Sequence, residues 1–398
     1  MKFQNPLSTL PSEINRDILS RLEGKQLFIA QCVSKEWYSF IQDIKLSYTG
    51  QPRILILSPG NHEGKHREVR SISPDLGNER LSQFTGHLSF AEPAADECLG
   101  FFGDGYRLRV LCSCSGLVLI HIGEHLILWN PHTSWSTKVL ELQRLRDDDY
   151  KVLGGLCYDL STSDYKVVLL LSDNTSDHGG HFVLVSTLKS KRWRKMRFLY
   201  NYMTSQVGIN FNDILHWIVS DIQNSQGWHY YNDQYMKWDN LRCNKIVCFD
   251  PVDDTFKTLP SPTQINRGEE DSIVGMGIID GCFCMATKDE KRQVIQVSIM
   301  KEYGKPESWV TSFAISMLGP AQHNFYNLKF VSQNGKVFMK FGYFWRTYVY
   351  DVKEDRLEEM FPVPDGVAND GLSCFYVESF DMPHEVSWRD GDEKKCRL

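Results

Sequence analysis

The chain has 398 residues, of which 42% are apolar and 24% are charged, so it can bury a sizeable core and is not a wholly disordered protein. Its 44 basic and 50 acidic residues leave a net charge of −6, which argues against a general nucleic-acid binder. The sequence contains neither a run of about 18 apolar residues that would span a membrane nor an N-terminal secretory signal. Its 11 cysteines, an odd number without disulfide-framework spacing, predict reduced thiols and a cytoplasmic or nuclear location.

Residues 7–45 carry the apolar spacing of short helices. Pro11 is a favoured first helical residue. The apolar side chains that follow share one stripe of a helix: Ile14, Ile18, Leu19 and Leu22. Ser34 is a candidate N-cap for a last helix, whose apolar side chains are Trp37, Phe40, Ile41 and Ile44. Short helices cannot bury this much apolar surface among themselves, so they must dock on the rest of the chain or on another protein.

From residue 53 onward, short β-strands alternate with polar turns. One unit recurs, in which a strand ends in a short polar residue, a turn follows, and an aromatic residue or leucine opens the next strand. It occurs at 129–135, 158–165, 186–193, 249–256, 297–309 and 350–357. Because a short polar side chain can accept hydrogen bonds from turn amides, the unit predicts a β-hairpin.

The spacing of these units predicts a β-propeller. The gaps are 57, 63, 48 and 53 residues when the equivalent points are Asn130, Thr187, Asp250, Ser298 and Asp351. Asp159 falls between the first two points and would mark an inner hairpin. A four-stranded unit of about 50 residues is the kelch-like propeller period. We expect residues 373–380 to pair with 53–57 and close the ring, because closure removes exposed sheet edges.

Together, these patterns predict an α+β chain in two domains. Residues 1–46 are expected to form a small three-helix domain. Residues 50–383 are expected to form an all-β, kelch-like β-propeller of about six blades. The charged residues 384–398 are expected to form a disordered tail.

The order of several motifs resembles that of known families. The first domain resembles an F-box in Leu10-Pro11-Ser12-Glu13-Ile14, Ile18-Leu19-Ser20-Arg21-Leu22, Leu27, Cys32-Val33-Ser34-Lys35-Glu36-Trp37 and Ile41. The second domain resembles the F-box-associated domain of the large plant F-box family. The motifs that carry this resemblance are Cys112-Ser-Cys-Ser-Gly116, Leu128-Trp-Asn-Pro131, Tyr158-Asp-Leu-Ser-Thr162, Asp164-Tyr-Lys-Val-Val168, Leu215-His-Trp217 and Ile246-Val-Cys-Phe-Asp250.

The resemblance implies a substrate-recognition subunit of an SCF-type cullin–RING ubiquitin ligase. In such a subunit the F-box binds the Skp adaptor and, through it, the cullin and RING subunits, while the propeller captures a protein substrate for ubiquitination and degradation. The resemblance implies no enzyme activity, cofactor or metal, and no nucleic-acid or membrane partner. The side chains expected to bind the adaptor are Leu10, Pro11, Ile14, Ile18, Leu19, Leu22, Leu27, Val33 and Trp37.

Three alternatives stay open at this point. The apolar helical residues could pack on the propeller instead of on an adaptor. The chain could be a stand-alone β-propeller enzyme or carbohydrate-binding protein, for which the helices would be incidental. Finally, the F-box could serve a scaffold that does not lead to degradation.

A long aromatic insertion at 221–242 is the main candidate for substrate binding. It contains Trp228, Tyr230, Tyr231, Tyr235 and Trp238. Long loops on a rigid scaffold often carry recognition, and tryptophan and tyrosine dominate binding hot spots. Phe344 and Trp345 lie in another hairpin and are a second candidate. The alternative is that the aromatic side chains of the insertion fold back over the propeller.

Two patterns suggest metal ligands. His121-Ile-Gly-Glu124-His125 has the order of a metalloprotease motif, which requires a helix, but its flanks are predicted to be strands around a Gly-Glu hairpin turn. The pairs Cys112/Cys114 and Cys282/Cys284 could offer four thiolates to zinc. Residues two apart share one face of a strand, however, so each pair is expected to pack as small apolar residues.

Residues 189–197 form a basic cluster, consisting of Lys189, Lys191, Arg192, Arg194, Lys195 and Arg197. Such a cluster can be a nuclear-localisation signal or an anion-binding patch. Trp193 occupies the aromatic position of the repeat, which favours a third interpretation. The charges would then lie on the solvated side of a hairpin.

Overall fold

The computed structural model describes residues 11–22, 24–47, 50, 52–57, 68–72, 84–87, 108–122, 125–133, 135–141, 150–173, 181–190, 192–198, 202–203, 208–220, 245–262, 272–289, 291–317, 328–333, 335–340, 347–359 and 372–380. Its helices are α1 (Ser12–Ser20), α2 (Gly24–Ala30) and α3 (Lys35–Ser47). Ser34 Oγ accepts a hydrogen bond from the backbone N–H of Trp37 at 3.1 Å, which confirms its predicted role as the N-cap of α3. None of the described helices is long and apolar enough to cross a membrane.

The described strands form five sheets. The first consists of β1 (Pro52–Leu57), β2 (Glu68–Ile72), β3 (Phe84–His87) and β25 (Leu372–Val377), in the order β25-β1-β2-β3. The second consists, in spatial order, of β4 (Leu108–Cys114), β5 (Leu117–Ile122), β6 (His125–Asn130) and β7 (Trp135–Glu141). The third consists of β8 (Tyr150–Asp159), β9 (Asp164–Asp173), β10 (His181–Thr187) and β11 (Arg194–Arg197).

The fourth sheet is built around β14 (Ile214–Ser220). Two short strands, β12 (Tyr202–Met203) and β13 (Ile209–Phe211), both pair with β14. On its other side follow β15 (Lys245–Asp250) and β16 (Thr255–Leu259). Trp217 of β14 and Phe249 of β15 are fully buried, in a cluster that also contains leucine and valine side chains of the second and third sheets.

The fifth sheet joins two four-stranded meanders. One consists of β17 (Ser272–Ile279), β18 (Cys282–Asp289), β19 (Val294–Met300) and β20 (Trp309–Ser316); the other consists of β21 (Leu328–Gln333), β22 (Lys336–Lys340), β23 (Thr347–Asp351) and β24 (Arg356–Glu359). The meanders meet through β17 and β21, which pair in parallel. A Cβ atom at Gly275 would overlap Leu328, and one at Gly277 would overlap Phe330. Glycine therefore permits this close approach.

The predicted hairpin unit is confirmed at four turns, but it is wrong at 297–309, because Ser298 lies inside β19 and the strand continues to Met300. Asn130 Oδ1 accepts hydrogen bonds from turn amides at 2.9 and 3.2 Å. Asp159, Asp250 and Asp351 likewise accept one from the residue two positions on, at 2.9 to 3.0 Å. The hairpin at Asp159 joins the first two strands of its sheet, as expected for an inner hairpin, whereas the other three join the last two strands.

The predicted pairing of the two ends of the β-domain is also confirmed. Strand β25 pairs with β1 from Pro52 opposite Val377 to Leu57 opposite Leu372. The C-terminal strand ends at Val377, three residues before its predicted end at 380. The reason is that residues 378–380 leave the sheet and contact the helices and the second sheet.

Because consecutive strands of each four-stranded unit run in opposite directions, their ends alternate between two opposite faces of the β-domain. Turns between the first and second strands of a sheet, and between the third and fourth, lie on one face, which we call the turn face. Contacts between neighbouring sheets on this face include those of Ser115 with Ser379, of Lys166 with Asp254 and of His216 with Tyr303. The strand ends that lead into the connections between second and third strands lie on the opposite face, which we call the loop face.

Candidate functional site

Among the described side chains of the helical domain, four large apolar ones are exposed. They are Ile14 (46% exposed), Ile18 (40%), Ile29 (45%) and Val33 (51%). Ile14 and Ile18 are four residues apart on α1, so they are neighbours on its surface. Ile29 and Val33 have the same spacing, at the end of α2 and in the helical turn that follows it. An exposed group of this kind is typical of a protein-binding surface.

The other residues predicted for adaptor binding have different positions. Leu19 and Leu27 are 0% and 2% exposed and form the core of the helical domain, and Leu22 and Trp37 pack partly against that core. Pro11 is exposed at the start of α1. Leu10 lies outside the described residues. Leu19 follows Ile18 by one residue, which is about 100° around the helix, and this rotation places it inside.

Ile29 is a surface residue that the motif did not single out. Its signal in the sequence is the four-residue spacing to Val33, which is one of the motif positions. Phe40 and Arg16 mark another side of the helical domain, where the guanidinium of Arg16 lies 5.0 Å from the ring centroid of Phe40. Arg16 also pairs with Asp43 at 2.8 Å, which links α1 to α3.

Phe380 joins the helical domain to the β-domain. Its side chain is 7% exposed and belongs to the same core cluster as Leu19, Leu27 and Ile41. On the other side, its ring lies 4.8 Å from the ring of His132, edge to face. The last residue of the described C-terminal segment is therefore inserted between the helices and the second sheet.

The two residues before Phe380 are held by polar contacts. Glu378 is 7% exposed, and its Oε1 accepts a hydrogen bond from Arg53 Nε at 2.6 Å. The carbonyl of Ser379 accepts a hydrogen bond from Asn130 Nδ2 at 2.9 Å, and its hydroxyl donates to the carbonyl of Ser115. We call residues 378–380 the joint, because they contact the helices, the first sheet and the second sheet.

The helical domain and the strand ends that flank the two predicted substrate-binding regions lie on opposite faces of the β-domain. The joint, and with it the helical domain, is on the turn face. Strand ends Ser220 and Lys245, which flank the aromatic insertion, are on the loop face, as are Lys340 and Thr347. The predicted substrate-binding residues themselves lie outside the described residues, namely Trp228, Tyr230, Tyr231, Tyr235, Trp238, Phe344 and Trp345. They stay predictions.

The histidine and cysteine motifs lie in strands. Ile122 pairs with His125 across the hairpin of β5 and β6, so the H-x-x-E-H sequence is not helical. Cys112 and Cys114 belong to one core cluster and Cys284 to another. Burial raises the pKa of the Cys112 thiol to about 11 and also raises that of Cys284. Within the described ranges, no group of three or more potential ligands is placed to hold a metal ion.

The basic cluster lies on an outer strand, as its hairpin interpretation predicted. Arg194, Lys195 and Arg197 are exposed on β11, whereas Trp193 is half-buried against the core. Arg194 pairs with Asp254 of the neighbouring sheet, and the ammonium of Lys195 lies 4.1 Å from the ring centroid of Phe182. These contacts fix part of the cluster to the sheet.

Comparison with known families agrees with this architecture. The F-box associated beta propeller domain matches residues 65–380, and the F-box domain matches residues 7–48. The chain belongs to the F-box proteins with an F-box-associated β-propeller domain. The F-box match contains the three described helices, and the propeller match contains every described strand except β1. Membership confirms the resemblance found in the sequence motifs.

Several F-box proteins of Arabidopsis thaliana are similar over most of this F-box protein. The F-box/kelch-repeat protein At3g23880 is 26% identical over 396 residues, which cover 95% of this chain and 96% of that protein. The F-box protein CPR1 is 24% identical over 335 residues, which cover 78% and 73%. The similarity to At3g23880 includes both the F-box and the propeller, so the two-part organisation is shared.

Proposed function

We propose that this F-box protein is the substrate-recognition subunit of an SCF-type cullin–RING ubiquitin ligase, acting in the cytoplasm or nucleus. Its F-box binds the Skp adaptor, and its propeller captures a protein substrate for ubiquitination and degradation. The subunit contributes no reactive group. It raises the effective concentration of substrate lysines near a charged ubiquitin-conjugating enzyme.

The observation that carries the proposal is the exposed apolar group of the F-box. Ile14, Ile18, Ile29 and Val33 are 40–51% exposed, although the same domain buries Leu19 and Leu27 almost completely. The domain therefore buries other apolar side chains in its core but leaves these four exposed to solvent. An adaptor that covers them would remove their apolar surface from water, which is favourable. In this proposal Leu19 and Leu27 support the interface from within.

The sheets support a six-bladed propeller. Three sheets each supply one four-stranded unit, the five-stranded sheet supplies one in which β12 and β13 share a position beside β14, and the eight-stranded sheet supplies two. The pairing of β25 with β1 closes the domain with a strand from each end of the chain. A closed ring is a rigid platform, and it holds its connecting loops at fixed positions.

The positions of the F-box and of the strands that flank the aromatic insertion support separate binding of the adaptor and the substrate. The F-box is attached on the turn face, and the flanking strands of the aromatic insertion end on the loop face. An adaptor and a substrate can therefore bind at the same time. We assign substrate capture to the loop face, with Trp228, Tyr230, Tyr231, Tyr235 and Trp238 as principal contacts and Phe344 and Trp345 as secondary ones.

Adaptor binding is tested with charges placed on the exposed group. The variant Ile14→Asp/Ile18→Asp should fail to co-purify with the Skp adaptor, since each lost interface anchor costs about 2 kcal/mol or more. Leu160→Asp is the control, because Leu160 is 71% exposed on a propeller turn and should not contact the adaptor. Undiminished binding by the double variant would contradict the assignment. The variant Leu10→Ala/Pro11→Ala tests the start of the motif in the same assay.

Substrate capture is tested separately. Proximity labelling with a proteasome inhibitor present should identify proteins that accumulate with the receptor. Deletion of residues 224–240 should remove these proteins and leave adaptor binding unchanged. Capture that persists after the deletion would contradict the role of the insertion. If the levels of the interacting proteins do not change when the proteasome is inhibited, the result would favour an F-box scaffold that does not lead to degradation.

A further inference from the structure

Strand β11 and the turn before it form the most basic segment of the propeller. Residues 189–197 contain six lysine or arginine residues and no aspartate or glutamate, in a chain whose net charge is −6. The structure describes all of the six except Lys191. We call this segment the basic strand.

Some of these cations make contacts within the propeller. Lys189 Nζ donates a hydrogen bond to the carbonyl of Ser163 at 2.8 Å, and Arg194 pairs with Asp254. Arg192 and Arg197 are exposed, and neither has a carboxylate partner within the described part of the chain. Two guanidinium groups are therefore available to a ligand.

Other outer strands neutralise their cations locally. On β16, Lys257 lies 3.2 Å from Asp250 and 3.2 Å from Asp253. On β24, Arg356 pairs with Glu358 at 2.8 Å. The basic strand contains no acidic residue with which to do the same. Its uncompensated charge thus distinguishes this strand from β16 and β24.

The basic strand is also a sheet edge. Among the described strands, β11 pairs only with β10, so its outer backbone groups face away from the sheet. An extended peptide can add to such an edge through main-chain hydrogen bonds. Lys195 and Arg197 are two residues apart and share one side of the strand, about 7 Å apart along it. A second copy of this strand would be repelled by its charge, whereas an acidic strand would be attracted.

We propose that the basic strand binds an acidic, extended peptide segment of the protein that the propeller captures. Acidic side chains at alternate positions of the peptide pair with Lys195 and Arg197, and Arg192 pairs with a further one beyond the strand end. The backbone of the peptide adds to β11. This inference rests on the proposed function only in treating the peptide as part of a substrate; the binding itself does not depend on the F-box.

The test uses the full chain without the adaptor and measures fluorescence anisotropy of a labelled probe. The probe is a peptide of alternating glutamate and valine, and its comparison is a peptide of alternating lysine and valine. We expect saturable binding of the first only. The variant Arg192→Gln/Arg197→Gln should weaken it about tenfold or more, because it removes charge-assisted contacts. The fold should be unaffected, since neither arginine has a described ion pair.

A charge-matched control distinguishes binding at the basic strand from general electrostatic attraction by the whole protein. The variant Arg292→Gln/Lys353→Gln removes two exposed cations from other turns and should leave binding of the acidic peptide unchanged. An equal loss in both variants would overturn the proposal, and so would undiminished binding by Arg192→Gln/Arg197→Gln. Equal binding of single-stranded DNA, lost in the same variant, would also overturn it and would assign the strand to nucleic acid.

The contribution of the strand edge is tested with the same peptide methylated at alternate backbone nitrogens. Methylation on the side that faces β11 should abolish binding, whereas methylation on the other side should not. Equal binding of both forms would overturn strand addition. Adaptor co-purification of the unsubstituted chain is measured in parallel. Its failure with peptide binding present would contradict the proposed function and leave this inference standing.

Discussion

Nε2 of His216 lies 2.6 Å from the phenolic oxygen of Tyr303, in a contact that links the fourth sheet to the turn before β20. Burial lowers the pKa of His216 to about 4, and burial also raises the pKa of Tyr303. The imidazole is therefore neutral near pH 7 and accepts a hydrogen bond from the hydroxyl. Its Nδ1 then carries the proton and donates to the carbonyl of Ile209 at 3.3 Å.

This buried imidazole predicts a pH dependence of stability. Between its ordinary pKa of 6.5 and the folded value of about 4, the unfolded chain binds a proton that the folded chain does not. The free energy of unfolding should therefore fall as the pH falls through this window, by up to about 1.4 kcal/mol per pH unit. His216→Gln should reduce the slope measured by urea unfolding at pH 7 and pH 5.

Tyr303→Phe is the matched control for that experiment. It removes the hydroxyl but keeps the buried imidazole, so the slope should persist even if the protein is less stable. Identical slopes in wild type and His216→Gln would show that His216 is not the titrating group.

Lys166 forms a buried ionic cluster between two sheets. Its ammonium lies 2.9 Å from Asp159 and 3.0 Å from Asp254, and its side chain is 8% exposed. Burial alone would disfavour charge on Asp159, but hydrogen bonds from Ser161 and Lys166 outweigh it and lower the pKa of Asp159. Lys166→Met should cost about 3–5 kcal/mol in unfolding free energy, because it leaves the buried carboxylate of Asp159 without its cation.

Lys257 provides a comparison for the same measurement. It also contacts two carboxylates, of Asp250 and Asp253, at 3.2 Å, but its side chain is 54% exposed. Lys257→Met should therefore change stability little, since exposed ion pairs are screened by water. A similarly small effect of both substitutions would mean that water reaches the Lys166 cluster and solvates its carboxylates.

Phe380 should fix the orientation of the F-box relative to the propeller. Its ring occupies the F-box core and contacts His132, so Phe380→Ala leaves a cavity where the two parts meet. We expect a narrow distance distribution between spin labels at Cys32 and Leu160→Cys in the parent protein and a broad one in Phe380→Ala. The remaining accessible cysteines would be replaced by serine.

Phe313→Ala controls for general destabilisation. Phe313 is 9% exposed, close to the 7% of Phe380, but it stacks on Tyr350 inside the fifth sheet. Each substitution should cost about 3–5 kcal/mol, yet only Phe380→Ala should broaden the distances. A narrow distribution in Phe380→Ala would show that the polar contacts of Glu378 and Ser379 are enough to hold the joint.

Gly116 should tolerate alanine less well than Gly281. Gly116 lies in the turn between β4 and β5, and Gly281 lies in the turn between β17 and β18. Both have a left-handed backbone, at φ +79° and φ +70°. A Cβ atom at Gly116 would overlap the side chain of Ser379 in the joint, whereas none of the described atoms lies within 4 Å of one at Gly281. Gly281→Ala should cost about 1 kcal/mol for the backbone alone. Gly116→Ala should cost more in the same unfolding assay, and equal costs would mean that Ser379 moves aside freely.

The sequence by itself determined the local structure of this protein. Hairpins at Asn130, Asp159, Asp250 and Asp351 follow from short polar side chains that accept hydrogen bonds from amides two or three residues on. The helix start at Ser34 follows from the same chemistry. The ring closure was also predictable, because pairing of the two end segments removes exposed sheet edges.

Only the tertiary structure decided which apolar side chains of the helices face outward. Ile18 and Leu19 are equally apolar neighbours in one motif, yet the rotation of α1 against α2, α3 and Phe380 exposes the first and buries the second. Contacts of Lys166 with Asp254 and of His216 with Tyr303 each join residues more than 80 positions apart. Such contacts depend on how the sheets are placed against each other. That placement is set by packing across the whole domain, which local sequence patterns do not encode.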